Sequence, residues 1–198
     1  MTALVWFLWT MSKEYNVLID KLPLCITLFE KDYPVYTSFK NWIEISLILE
    51  DGGLDDALNL AKILKLCYKE KLPENIGSAI LGMLSFLNGD TEFFVSPDKK
   101  SNQRLYSFRD DADVIFASFY KEYGIDLEKS DMHWYKFLAL FRGLSDENPF
   151  KTLLKIRTAD ETKIKDAEKR RKLRELKSRY EIKSNVEIDV AKNISSLF

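Results

Sequence analysis

The stretch SDMHWYKFLALFRGLSDENPF, residues 130–150, constrains the fold more than any other part of the chain. At about 100° per residue, a helix gathers Trp134, Phe137, Leu138, Phe141 and Leu144 into one arc and sends Lys136 and Gly143 to the other side. Each large apolar side chain gains roughly 1.5–3 kcal/mol on leaving water. Such a stripe has to be covered, either by the chain's own core or by another protein. Asp131 is the expected N-cap. His133, the single histidine, falls on the stripe's margin with no nucleophile motif paired to it, and reads as structural.

Helical spacing recurs on both sides of this stretch. Phe39, Trp42, Ile43, Ser46 and Leu49 form one stripe, stopped by Gly52-Gly53. Asp55 and Asp56 head a second helix reaching about Lys69. Pro73 opens a third, with Ile76, Ala79, Ile80, Met83, Leu84 and Leu87 on one face and Gly89 past its end. Ala112, Ile115, Phe116, Phe119, Tyr120 and Tyr123 make a fourth, closed by Gly124. Only the region before Phe39 has strand character. YNVLID (Tyr15–Asp20) and CITLFE (Cys25–Glu30) predict a small hairpin or meander over residues 15–37, with Lys31-Asp32 at a tip and Pro34 at an edge. Residues 89–104 break the rhythm and are expected to be a mobile loop.

With 46% hydrophobic and 13% aromatic residues the chain can build a core, and its 7 Gly and 5 Pro leave long helices largely uninterrupted. Cys25 and Cys67 form no CxxC and read as small apolar residues of a reduced protein. Two cysteines and one histidine do not make a zinc site. Asp110, Asp111 and Asp113 at a helix head are read as caps and dipole partners, not as metal ligands. No phosphate loop, nucleophile elbow or internal repeat occurs, so neither a catalytic residue nor a cofactor is assigned. The apolar opening MTALVWFLWT is too short to span a bilayer and lacks a basic start, so residues 1–10 are expected to be an extension outside the fold. Its rival reading is an apolar arm that docks on a partner.

The C-terminal part differs in kind. Thr158 with Glu161 fits a capping box, and a charged helix is expected from there to Tyr180, with a frayed tail over 181–198. Residues 158–198 hold 11 Lys+Arg against 8 Asp+Glu, while the whole chain is at −1. The run Lys169-Arg170-Arg171-Lys172 spreads around the helix and makes no single basic face. No aromatic residues interleave with it as base stacking would require, which argues against nucleic acid.

The segment HWYKFLALFRGLS (His133 to Ser145), followed by Phe150 and Ile156-Arg157, resembles the bacteriophage gene-product-fifteen family. Two further blocks agree. One is Leu105-Tyr106-Ser107-Phe108 with Asp111-Ala112-Asp113, Phe116, Phe119 and Tyr123 to Leu127. The other is Leu18 to Pro23 with Phe39 and Trp42. The resemblance spans about Met11 to Tyr180, and the decapeptide before Met11 departs from it. It implies a tail-module protein of tailed phages and prophages, encoded near the tape measure protein and similar to tail-assembly chaperones. It carries no catalytic residues.

The expected architecture is therefore mainly α. A small N-terminal β-hairpin and a five- to six-helix packed domain span 11–157, followed by a protruding basic C-terminal helix over 158–180. The expected function is a non-enzymatic tail-assembly chaperone in the cytoplasm of the bacterial host. It would bind the tape measure protein and other tail proteins, self-associate, and touch no membrane. Trp134, Phe137 and Phe141 are candidates for partner contact if the stripe faces outward, though core packing is the stronger reading. Arg170, Arg171 and Arg174 are the better candidates. The alternatives are a structural component of the virion tail or head–tail junction and a nucleic-acid-binding accessory.

Overall fold

Ile26 and Leu28 point to one face and Thr27 to the other. In the computed structural model, which describes residues 18–54, 56–89 and 105–183, this alternation sets a hairpin. Strands β1 (Cys25–Leu28) and β2 (Lys31–Pro34) pair antiparallel, with Ile26 opposite Tyr33 and Leu28 opposite Lys31. The tip is Phe29-Glu30 and not Lys31-Asp32. Both tip residues are left-handed, at φ 49° and 62°, as a two-residue turn matched to strand twist demands. Leu18 to Asp20 form a turn and a bend, so no strand precedes Cys25 among the described residues. Residues 15–17, the extension 1–10, the loop at 90–104 and the tail from 184 onward lie outside them.

Seven α-helices follow among the described residues: α1 (Phe39–Glu50), α2 (Ala57–Cys67), α3 (Ile76–Asn88), α4 (Ala112–Tyr123), α5 (Trp134–Arg142), α6 (Pro149–Thr158) and α7 (Ala167–Arg179). The fold is mainly helical with one small N-terminal hairpin, as the periodicity predicts. Asp56 caps α2 by accepting the Leu58 N–H, and Asn75 caps α3 by accepting the Ser78 N–H. Helix α3 thus starts after Pro73, at the side chain that can satisfy an orphan amide. Gly89 and Gly124 stop α3 and α4 in left-handed conformation, where a Cβ is costly.

The described residues divide into two compact units. The first holds residues 18–54, 56–89 and Asp131–Ala139; the second holds residues 105–130 and 140–183. In the first unit β1 lies on α3, and α2 packs against both α1 and α3. Close approach of the hairpin depends on Gly82. A Cβ there would stand 2.7 Å from Ile26 Cγ2 and 3.2 Å from Leu28 Cδ2. Tyr68 lies on the same side and closes the seam, donating its hydroxyl to the Ala79 carbonyl at 2.8 Å. In the second unit α6 packs against both α4 and α7.

Alanine at residue 82 gains about 1 kcal/mol of helix propensity over glycine, but the added methyl overpacks a β-branched neighbour, which costs about 1–3 kcal/mol. Gly82→Ala is therefore expected to lower stability by about 1 kcal/mol in urea unfolding. A stabilised variant would mean the hairpin does not rest on α3.

Candidate functional site

Trp134, Phe137 and Phe141 are each 0% exposed. In the first unit the Trp134 ring stacks on Trp42 and Phe137 with centroids at 6.3 and 5.5 Å, and Phe137 stacks on Phe39 at 5.0 Å. Its indole N–H donates to the Leu87 carbonyl at 2.9 Å, in the last turn of α3, where carbonyls lack helical donors. Trp42 is satisfied the same way by the Tyr36 carbonyl at 2.7 Å. In the second unit Phe141 meets Phe150 at 4.7 Å and Tyr106 at 5.3 Å. The partner-contact role considered for these three rings does not fit the folded state, because a partner could touch them only by opening the core.

His133, and not Asp131, precedes α5 as its cap. Nδ1 accepts the Tyr135 N–H at 3.1 Å and Nε2 lies 2.8 Å from the Pro23 carbonyl oxygen. A carbonyl only accepts, so Nε2 carries the proton and the ring is neutral. Neither nitrogen is left for a substrate. Burial depresses the histidine's pKa, against a smaller opposing effect of the Pro23 bond. The unfolded chain therefore takes up a proton near pH 6.5, and the folded chain only below that. The stability held here is whole above about pH 6.5 and drains as pH falls through the folded-state value. Thermal unfolding from pH 7.5 to 5 is expected to show this loss in the wild type. His133→Asn, which can still cap α5, is expected to flatten the profile; an unchanged profile would place the titration elsewhere.

Charged helix α7 starts at Ala167, later than Thr158. Thr158 instead ends α6 and returns its hydroxyl to the Leu154 carbonyl at 2.9 Å. Asp160 caps a short 3-10 turn, Glu161–Lys163, and Asp166 caps α7 by accepting from Glu168 and Lys169 N–H. These aspartates, each followed by its own turn, outcompete the capping box. No residue of α7 is fully buried. Arg170 donates to the Ile164 carbonyl at 2.9 Å, and Arg174 pairs with Glu161 at 2.7 Å. Both tie the helix to its own approach segment. Arg171 and Arg174 are both exposed, but Arg174 is engaged with Glu161, whereas Arg171 is only loosely paired with Glu175 at 3.6 Å. Arg170, Leu173, Leu176 and Lys177 form the half-buried side.

The strongest polar site in the second unit was not legible as such in the sequence. Arg157, in the last turn of α6, makes a bidentate pair with Asp111 at 2.6 and 2.7 Å. The same guanidinium donates to the Leu105 carbonyl at 3.1 Å and the Tyr180 carbonyl at 2.7 Å. Asp111 also accepts the Ser107 N–H, and Asp110 accepts the Lys183 N–H. Two of the three acids at the head of α4, Asp110 and Asp111, thus bind protein groups. Among the described residues no cluster of three His, Cys, Asp or Glu could hold a metal, and no helix is long and apolar enough to cross a membrane. The Arg157 and Asp111 side chains are 11% and 3% exposed. Arg157→Ala would strand a buried carboxylate, which costs about 3–5 kcal/mol. Asp111→Ala combined with it should recover part of that loss in denaturant unfolding; strict additivity would deny the coupling.

The Bacteriophage Gp15 protein family model matches residues 18–182. The chain belongs to the bacteriophage Gp15 family. The match takes in both strands and all seven helices, so the Gp15 signature is the whole described fold and not one helix of it. Of the residues that carry the resemblance, His133 caps, Trp134 and Phe141 pack, and Asp111 and Arg157 clamp. None of the curated proteins and none of the solved structures compared with the chain matches significantly.

Proposed function

We propose that this Gp15 protein is a non-enzymatic tail-assembly chaperone that binds the phage tape measure protein in the cytoplasm of the bacterial host. Membership of a phage family supports the setting. The observation that carries the client-binding part is helix α7, which is held by polar links at its two ends and buries none of its own residues. Its outward side alternates Glu168, Arg171, Lys172, Glu175 and Arg179. A long helical client carries rows of both charges, and a mixed ladder of this kind engages such rows through many weak contacts. Contacts of that type are screened by salt and reversible, which suits a helper that must leave as tail tube subunits arrive. The same mixture disfavours nucleic acid, since the acids repel phosphate.

Co-expression with the tape measure protein tests the reading. The wild type is expected to raise the client's soluble fraction severalfold, and Arg171→Glu with Lys172→Glu and Arg179→Glu to abolish that gain while leaving the protein folded. Deleting residues 158–198 is a poorer test, because it removes the Tyr180 carbonyl that Arg157 grips. Client solubility indifferent to the protein would overturn the proposal, as would its presence at fixed stoichiometry in purified virions.

A further inference from the structure

Helix α4 carries more aromatic surface than its unit covers. Ile115 and Phe119 are buried, but Phe116 is 40% and Tyr120 60% exposed. The stripe expected from Ala112 to Tyr123 is wider than one buried face, and its outer half looks to solvent. At about 100° per residue, Phe116, Ala117 and Tyr120 share this outer side with Asp113 one turn before and Lys121 one turn after. Asp113, Ala117 and Lys121 are exposed as well. Neither Asp113 nor Lys121 has an ion-pair partner among the described residues, and neither Phe116 nor Tyr120 has a ring partner there.

The order of these residues selects an occupant. Asp113 and Lys121 stand equally far from Ala117, about 6 Å along the axis on either side. A second copy laid antiparallel across Ala117 brings each Asp113 level with the other copy's Lys121. The two alanines then sit at the symmetry axis, where small side chains let backbones approach, and Phe116 and Tyr120 of both copies line one edge of the contact. A parallel copy would set Asp113 on Asp113 and Lys121 on Lys121. One acid and one base disposed evenly about a small residue is self-complementary under a two-fold axis. An unrelated helix would have to supply a matching pattern of its own.

We propose that the outer face of α4 is a homodimer contact, with a second copy of this chain packed antiparallel about Ala117. One helix face covers less than the roughly 800 Å² per partner of a standard interface, so the dimer is weak and forms with rising concentration. The proposal goes beyond client binding by α7: its failure leaves client rescue untouched, and the reverse also holds.

Sedimentation velocity of the full chain over a micromolar concentration series tests it, with circular dichroism as the check on folding. The wild type should shift from monomer towards dimer. Asp113→Lys alone and Lys121→Asp alone should each weaken association by about ten-fold, since like charges then face each other. The double exchange should restore it, because the opposite pairs are rebuilt with their signs reversed. A wild type that stays monomeric would overturn the proposal, as would a dimer indifferent to the single exchanges or a double exchange without rescue.

Discussion

Two indole rings removed from water set the terms for the first unit. Each brings a large apolar gain and one N–H that must find an acceptor, since an unpaired buried donor costs about 1–3 kcal/mol. Trp134 finds the Leu87 carbonyl and Trp42 the Tyr36 carbonyl. Both acceptors are backbone groups, at the end of α3 and in the segment leading to α1. The rings therefore fix how these segments meet as well as filling space. Stacking of Trp134 on Trp42 and of Phe137 on Phe39 then leaves few alternative packings.

The second unit solves its problem differently. Arg157 gathers one carboxylate and two backbone carbonyls around a single guanidinium, which its planar fork permits and a lysine's point charge would not. Through Tyr180 it holds the far end of α7, a helix with no buried residue of its own. Polar links at its ends leave the ladder of Glu168, Arg171, Lys172, Glu175 and Arg179 in water, where a charged partner can reach it.

Local signals in the sequence were accurate where one physical effect dominated. The stripe from Trp134 to Leu144 is buried as its period implies, and the glycines at 89 and 124 end their helices. The hairpin tip is hidden in the sequence because Phe29-Glu30 has none of the Asn or Gly that usually marks two left-handed residues; the register of the flanking strands places it. The capping box at Thr158 lost to aspartates at 160 and 166, a competition between equally good local caps. Phe116 and Tyr120 share helical spacing with buried neighbours, and only tertiary placement separates the covered from the uncovered side. Arg157 with Asp111 joins residues far apart in sequence, which no periodicity reveals; their joint presence in the family-like segments was the one hint. Of the arginines expected at the partner surface, Arg170 and Arg174 turn back to their own chain because Ile164 and Glu161 offer acceptors nearby.

The aromatic residues from Trp134 to Phe141 are consumed in making the structure. Hydrogen exchange at the Trp134 indole N–H, followed by NMR, tests this most directly. Exchange that proceeds only through global unfolding, with an opening free energy equal to that from denaturant titration, is the predicted result. Exchange as fast as that of a solvent-exposed indole would contradict it.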